Sequence, residues 1–228
     1  MRYIIPPAPQ ASVAVVDTSD RFPVRRIYCV GRNYAEHIRE MGNDERDPPF
    51  YFTKPADAVV ESGTEIAYPP ATSDLHHEVE LVLAIGKGGA DIALEDATTH
   101  IWGAAVGIDL TRRDIQLEAK KAGRPWDMAK GFDHSAPIGA LVPLADAGDL
   151  TKGNIWLDVN GERRQTGDLS EMIWSAAECV THLSTLVTLA PGDLIMTGTP
   201  SGVAAIGKGD KLTAGIDGLP SLSLSVSG

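Results

Sequence analysis

The order of apolar and polar positions along this 228-residue chain predicts many short strands and few helices. Short apolar runs bounded by Gly, Pro, Asn or Asp are typical of strands. They predict strands at 12–16, 26–30, 50–55, 75–86, 102–110, 193–196 and 221–226, and hairpin turns at Asn160-Gly161 and Asp217-Gly218. Helices are predicted at 34–41, 93–102, 111–122 and 175–189. Strands and helices do not alternate regularly, so we expect one α+β domain around a mixed sheet or sandwich.

Three acidic residues interrupt the apolar strands. Glu78 and Glu80 lie two residues apart in the predicted strand at 75–86 and therefore point to one face, and Asp109 follows near the end of the next buried run. Beyond Glu80 that face turns apolar, so the strand enters the core while carrying two acids. Neighbouring carboxylates repel, and a hard divalent cation removes the conflict. This pattern predicts a Mg²⁺ or Mn²⁺ site, although the solvated face of a sheet would also carry two glutamates.

Other polar residues are candidates for catalysis. His37 and Glu40 lie three residues apart on the predicted helix, so their side chains are neighbours. A histidine oriented by a carboxylate activates water at neutral pH, whereas the same pair on an exposed helix would only form surface ion pairs. Lys130 and, more weakly, Lys54 stand between apolar residues and are candidates to bind an anion or oxyanion. A surface lysine with a buried alkyl stem would show the same pattern.

Composition narrows the possible partners and location. The formal net charge is −11, which opposes binding to nucleic acid or to anionic membranes. No apolar run approaches the length of a transmembrane helix, and the N-terminus lacks the pattern of a signal peptide. Cys29 and Cys179 stand among apolar residues, so buried thiols are expected rather than a disulfide. Together these features predict a cytoplasmic protein. A small anionic substrate would need local positive charge, from a metal or from a few convergent Lys and Arg residues.

Six motifs occur in an order that resembles one known family. They are VGRNYAEH at 30–37, FTKP at 52–55, HEVEL at 77–81, DLTRRDIQ at 109–116, KGF at 130–132 and TGTPSGV at 197–203. From about Arg26 onward the chain resembles the fumarylacetoacetate hydrolase family, in its short acylpyruvase and fumarylpyruvate hydrolase branch. The resemblance implies a strand-rich mixed β-sandwich or roll, with a short N-terminal extension at 1–25 and a single catalytic domain at 26–228.

The resemblance also implies roles for individual residues. The implied metal ligands for Mg²⁺ (or Mn²⁺) are Glu78, Glu80 and Asp109. The implied catalytic residues are His37, Glu40 and Lys130. The implied substrate-binding residues are Arg32, Lys54, Gln116 and Thr199. The implied reaction is hydrolysis of a carbon–carbon bond in a 2,4-dioxo acid by a homodimer. With fumarylpyruvate the products are fumarate and pyruvate, as in gentisate-type aromatic degradation.

Two alternatives stay open at this point. An oxaloacetate decarboxylase would use the same metal site without an attacking water, and a related hydratase or isomerase would use nearly the same residues. A non-catalytic protein could keep the fold and use the metal for stability. The His37–Glu40 pair and Lys130 favour an enzyme.

Overall fold

A computed structural model describes residues 3–34 and 47–228, and strands dominate the regular structure in these ranges. The strands are β1 Ser12–Ala14, β2 Arg21–Pro23, β3 Arg26–Gly31, β4 Phe50–Lys54, β5 Val59–Glu61, β6 Thr64–Ala67, β7 Leu75–His77, β8 Val79–Ile85, β9 Ile101–Ile108, β10 Thr111–Arg112, β11 Ala136–Ile138, β12 Val142–Pro143, β13 Asn154–Val159, β14 Glu162–Asp168, β15 Asp193–Met196, β16 Ala204–Ile206, β17 Lys211–Ile216 and β18 Leu222–Ser227. The helices are α1 Arg113–Lys121, α2 Asp127–Lys130 and α3 Ala176–Leu186, with 3₁₀ turns at Ala56–Ala58, Ala97–His100 and Leu169–Glu171.

Two mixed sheets form the body of the molecule. The larger has the order β4-β3-β15-β8-β9-β11-β5, with β12 paired to β9, and the second has the order β14-β13-β17-β18-β6. Parallel pairs, such as β3 with β15 and β6 with β18, occur among antiparallel ones. A small sheet, β10-β7-β16, and the β1-β2 hairpin complete the arrangement. The prediction of a strand-rich α+β fold with a mixed sandwich or roll is confirmed.

The main core lies between the two large sheets. Leu81 on β8 and Leu212 on β17 belong to this core, and Val180 on α3 packs with them. The opposite face of β8, which includes Val82, packs in a second core together with Val13 of the β1-β2 hairpin. A strand in the middle of a sheet with both faces covered reads as a nearly continuous apolar run, as β8 does. The hairpin within residues 1–25 thus contributes to the second core, and the boundary at 25/26 stays a prediction.

Local sequence signals determine several of the turns and one helix start. Asn160 and Gly161 have φ values of 54° and 81°, as a two-residue type I′ turn between β13 and β14 requires. Ser175 and Glu178 form a reciprocal capping box at the start of α3. The hairpin predicted at Asp217-Gly218 joins β17 and β18. The thiols of both cysteines are buried and free, as expected.

The predicted strand at 75–86 and the predicted helix at 93–102 differ from the observed elements. The chain leaves one sheet and enters another at Glu78, so β7 and β8 are separate strands. Only a 3₁₀ turn at Ala97–His100 forms in the helical segment, where two threonines are poor helix formers. Strand β9 then begins at Ile101 because its ladder with β8 extends that far.

The ends of the other predicted helices also shift. The helix predicted at 111–122 begins at Arg113, since the two residues before it pair with β7 as β10. The helix predicted at 175–189 ends at Leu186, where the next residue is extended. The helix predicted at 34–41 lies outside the described residues except for Tyr34, which forms a β-bridge with Met172. Among the described residues, no helix is long and apolar enough to cross a membrane.

Candidate active site

Three carboxylates meet at one end of the β8-β9 ladder. The two strands are antiparallel, and the backbone N–H of Asp109 donates to the carbonyl oxygen of Glu78 at 2.8 Å. Glu78 stands at the break before β8, Glu80 follows on β8, and Asp109 comes directly after β9. One oxygen from each carboxylate lies within 4.8 Å of the others, and all three residues are buried. The structure therefore brings together the acids selected from the sequence, which we term the acid cluster.

Two buried lysines neutralise part of this charge. Lys130 Nζ donates to Glu78 Oε2 at 2.6 Å, to Asp109 Oδ2 at 2.7 Å and to Thr111 Oγ1 at 2.6 Å, so its three N–H groups are all used. Lys54 Nζ lies 2.8 Å from Asp109 Oδ1 and donates to two backbone carbonyl oxygens. Burial alone would lower the pKa of Lys130, but the charges of Asp109 and Glu78 outweigh burial and raise it. Both lysines are thus counter-ions of the acids in this structure.

The positive charge is unevenly distributed over the cluster. Burial alone would raise the pKa of Glu78, but Lys130 and Arg113 outweigh burial and hold it well below its usual range. Glu80 Oε2 accepts a 2.7 Å hydrogen bond from the backbone N–H of Gly198. No ion pair to Glu80 occurs within residues 3–34 and 47–228. Burial, followed by the charges of the other two acids, raises the pKa of Glu80 well above its ordinary value.

A divalent cation fits this donor set. Carboxylate oxygens are the ligands that Mg²⁺ and Mn²⁺ prefer, and three of them converge here in a buried position. Glu80 is the carboxylate that lacks a cationic partner in the described part of the chain. A cation held by the acid cluster would supply that missing charge.

The cluster opens into a cavity of about 300 Å³. Glu78 and Glu80 form part of its wall, and the turn after β15 forms another part. One face of α1 completes the wall with the i, i+3, i+4 and i+7 positions Arg113, Gln116, Leu117 and Lys120. The aromatic ring of Trp126 adds an apolar surface beside Phe52, at 5.9 Å between ring centroids. The cavity thus has an anionic floor, an apolar side and cationic groups.

The residues that the resemblance assigned to catalysis and substrate binding lie in different places. Four of them line the cavity: Arg32, Gln116, Lys130 and Thr199. The side chain of Lys54 is completely buried and pairs with Asp109. Lys54 is not part of the cavity wall, so it is not placed to touch a substrate as the resemblance implied. Arg32 has φ 61°, an uncommon value outside glycine, and its guanidinium lies 5.7 Å from the centre of the Phe50 ring. His37 and Glu40 lie outside the described residues.

A glycine turn after β15 places two polar groups at the site: the backbone N–H of Gly198, which donates to Glu80, and the hydroxyl of Thr199, which lines the cavity. Gly198 has φ +92°, and a Cβ added there would lie 2.7 Å from the Cβ of Asn33. Asn33 Nδ2 donates to the carbonyl oxygens of Thr197 at 2.7 Å and Trp174 at 2.8 Å, which holds the turn against β3. Glycine is therefore required for the backbone to reach Glu80 and to present Thr199 to the cavity.

Sequence reasoning assigned no role to Arg113 and Thr111, although both stand in the DLTRRDIQ motif. Arg113 contacts the carboxylate of Glu78 and the side-chain oxygen of Gln116. The hydroxyl of Thr111 accepts the third hydrogen bond of Lys130. The i, i+3 spacing of Arg113 and Gln116 on a predicted helix was a signal that would have indicated the contact between these two side chains.

Comparison with known proteins gives consistent matches over this whole region. The family model described as fumarylacetoacetate (FAA) hydrolase C-terminal matches residues 26–227. The crystal structure of fumarylpyruvate hydrolase from Pseudomonas aeruginosa in complex with Mn²⁺ and pyruvate is 52% identical, with a TM-score of 0.95 and 99% of each chain covered. Fumarylpyruvate hydrolase of Ralstonia sp is 45% identical over 177 residues, which cover 78% of this chain and 92% of that protein.

A second group of relatives carries a different name. The mitochondrial oxaloacetate tautomerase FAHD1 of Mus musculus is 43% identical over 202 residues, which cover 89% of this chain and 91% of that protein. Both groups match most of this chain, so membership of the family does not decide between the two activities. The chain belongs to the fumarylacetoacetate hydrolase family and is an enzyme similar to fumarylpyruvate hydrolases.

Proposed function

We propose that this enzyme hydrolyses a carbon–carbon bond in a 2,4-dioxo acid, with fumarylpyruvate as substrate and fumarate and pyruvate as products. The observation that carries the proposal is the acid cluster at the floor of a cavity whose other walls offer polar groups suited to an α-keto acid. Gln116 and Thr199 supply an amide and a hydroxyl there, and Arg113 supplies positive charge. A structural neighbour at 52% identity holds Mn²⁺ and pyruvate, which supports the same ligand class here.

The proposed mechanism assigns one task to each group. A divalent cation on the acid cluster supplies Lewis-acid polarisation of the 2-oxo group when it is bound. His37, oriented by Glu40, removes a proton from the water that adds to the C4 carbonyl carbon. Lys130 donates to the oxyanion that forms on the C4 oxygen. The C3–C4 bond then breaks, its electron pair goes to C3, and protonation of C3 gives pyruvate beside the released acid.

The role proposed for Lys130 requires one of its present contacts to be exchanged. All three of its N–H groups are bound to Glu78, Asp109 and Thr111. A cation on the acid cluster would compete for the same carboxylate oxygens and release an N–H group of Lys130 toward the cavity.

The spacing of the cationic residues along α1 favours a longer dicarboxylate. Arg113 contacts Glu78 at the inner end of α1, and Lys120 lies two helical turns away, about 10 Å along the axis at about 1.5 Å per residue. The carboxylate carbons of extended fumarylpyruvate are separated by roughly 8 Å, given bonds of about 1.5 Å. Lys120 would thus meet the distal carboxylate, while Leu117 and Trp126 would cover the carbon chain.

Oxaloacetate is the second candidate substrate. Relatives at about 43% identity are named oxaloacetate tautomerases, and the acid cluster would serve that reaction equally well. Oxaloacetate has only four carbons, so a molecule anchored at the acid cluster would not span the distance to Lys120. A reaction on oxaloacetate would also need no attacking water, so it would not need His37 to activate one.

Steady-state assays on fumarylpyruvate, acetylpyruvate and oxaloacetate, with Mn²⁺ or Mg²⁺ and with a chelator, test the proposal. We expect metal-dependent release of fumarate and pyruvate to have the highest kcat/KM. His37→Ala should abolish hydrolysis while Mn²⁺ still binds. Absence of turnover on both 2,4-dioxo acids in the presence of metal would contradict the proposal, and so would hydrolysis that survives in His37→Ala.

Lys120→Met tests the choice of acyl group, with Lys121→Met as the matched control because Lys121 is next on α1 and does not line the cavity. An exposed charge–charge contact contributes up to about 1 kcal/mol, or about fivefold. We expect KM for fumarylpyruvate to rise about fivefold in Lys120→Met, and KM for acetylpyruvate, which has no distal carboxylate, to stay the same. An equal change for both substrates would exclude Lys120 as the distal contact.

Three finer features belong to the proposal. We propose Mg²⁺ as the metal in the cell, with Mn²⁺ as a functional substitute, because both prefer carboxylate oxygens. The resemblance implies a homodimer, and light scattering on the purified protein would measure the molar mass in solution that tests it. The two free thiols are compatible with the reducing cytoplasm, which remains the proposed location.

A further inference from the structure

A buried glutamine outside the set of predicted site residues connects two walls of the cavity. Gln165 lies in β14 and has no exposed surface. The pairing of β14 with β13 shifts by one position between Arg163 and Gln165, which leaves Arg164 as the extra residue of a β-bulge. A bulge re-aims the side chains beside it. Gln165 is directed inward here, while both of its neighbours in the strand are exposed.

Backbone groups on both sides fix the orientation of the Gln165 amide. The N–H of Val79 donates to Oε1 at 3.1 Å, and Nε2 donates to the carbonyl oxygen of Pro200 at 2.9 Å. An N–H group can only donate and a carbonyl can only accept, so the two ends of the amide cannot be exchanged. Oε1 also lies 2.8 Å from His77 Nδ1, and Nε2 donates to Thr199 Oγ1 at 2.8 Å. The amide thus makes all four of its possible hydrogen bonds.

This polarity determines what the neighbouring side chains can do. Oε1 is an acceptor, so Nδ1 of His77 must carry the ring proton. Thr199 Oγ1 accepts from Gln165, so the hydroxyl hydrogen is left to donate elsewhere, and Thr199 lines the cavity. His77 and Val79 stand on either side of Glu78, so one amide also holds the backbone around a member of the acid cluster.

We propose that Gln165 is a positioning residue for substrate binding: it directs the hydroxyl hydrogen of Thr199 to an oxygen of the bound α-keto acid and fixes the backbone that carries Glu78. The role extends the proposed function and rests on it for the identity of the ligand. Gln165 itself touches neither the substrate nor the metal.

Pyruvate binding in the presence of saturating Mn²⁺, measured by calorimetry on the full chain, tests this role without turnover. Gln165→Glu keeps the two acceptor contacts but cannot donate, so the hydroxyl of Thr199 turns to the new carboxylate. We expect the Kd for pyruvate to rise at least tenfold. Thr199→Val should have an effect of similar size, and the double variant should be no more than about threefold weaker than the weaker single variant, because both changes remove one donor.

The matched control is Thr166→Glu, which adds the same charge at the next position of β14 on the exposed face. It should leave the Kd for pyruvate unchanged. Losses that multiply in the Gln165→Glu, Thr199→Val double variant, or pyruvate binding of Gln165→Glu equal to that of the wild type, would overturn the proposal. If the wild type itself binds no pyruvate with Mn²⁺, the proposed function fails instead.

A measurement on the wild type covers the case in which Gln165→Glu does not fold. The ¹⁵N chemical shifts of the His77 ring report which nitrogen carries the proton. A neutral ring protonated at Nδ1 is expected. A neutral ring protonated at Nε2 would overturn the proposal, because Gln165 Oε1 would then face a nitrogen that cannot donate.

Discussion

Replacing Glu80 by Gln should stabilise the metal-free protein and abolish its stabilisation by metal. Glu80 is buried among like charges, and no described lysine, arginine or histidine forms an ion pair with it. Two unit charges within 4.8 Å repel by about 3.5 kcal/mol at an effective dielectric constant of about 20. Gln keeps the shape and an acceptor for the Gly198 N–H but removes this repulsion.

The magnitude has an upper bound because Glu80 can take up a proton. At pH 7.5, about three pH units above the ordinary pKa of 4.5, the penalty cannot exceed about 4 kcal/mol. Lys130 offsets part of the repulsion, so we expect Glu80→Gln to raise the free energy of unfolding by about 2 kcal/mol. For a chain of this size that is a rise in Tm of about 4–8 °C.

The same variant should lose the response to metal. Mn²⁺ at about 100 times its Kd stabilises the wild type by about 2.7 kcal/mol, and Glu80→Gln should gain far less because one ligand has lost its charge. Urea unfolding with chelator and with Mn²⁺ measures both effects. The control is Glu65→Gln, an exposed position on β6, which should match the wild type in both conditions.

The pH dependence gives an independent check of sign. The pKa of Glu80 is raised in the folded protein, so between about pH 4.5 and the raised value the native state holds a proton that the unfolded state releases. The stability of the metal-free wild type relative to Glu80→Gln therefore falls as the pH rises through this window, and the two converge near pH 4.5. A Glu80→Gln variant that is less stable than the wild type at pH 7.5 with chelator would refute the reasoning.

Two other substitutions should destabilise the protein. Asp109→Asn removes the charged partner of two buried lysines, so the free energy of unfolding measured by urea titration should fall by about 3–5 kcal/mol. This change is opposite in sign to that of Glu80→Gln, and an unchanged free energy would contradict the ion pairs. Gly198→Ala combines φ +92° with a contact of 2.7 Å to Asn33 Cβ, so it should cost about 2–3 kcal/mol and weaken Mn²⁺ binding. Gly63→Ala, with φ +86° and no atom within 4 Å, isolates the backbone term and should cost only about 1 kcal/mol without affecting Mn²⁺.

Elements whose signal is local could be predicted from the sequence. The Asn160-Gly161 turn needs only the tolerance of these two residues for positive φ, and the strand β8 follows from a continuous apolar run. Boundaries were less predictable where a distant strand competes with local preference. The pairing of β10 with β7 takes the first two residues from the predicted helix at 111–122.

The acid cluster was predictable for the same local reason. Alternation along the predicted strand at 75–86 places Glu78 and Glu80 on one face, and an apolar run that ends in Asp109 predicts another strand. In the structure Glu78 stands at the break before β8, and its carboxylate still meets the other two. The six ordered motifs then indicated the family. The identity of these residues and their order along the chain can be read from the sequence without knowing the fold.

Only the tertiary structure decided how those charges are paired and held. Lys130 reaches Glu78 across 52 residues of sequence, and Gln165 reaches His77 across 88. No periodicity connects positions so far apart, because their contact depends on the path of the sheets and on the bulge in β14. The sequence alone therefore determined which groups could bind a metal, whereas the packing determined that Glu80 is left without a cationic partner within the described chain and that Thr199 has a hydrogen to donate.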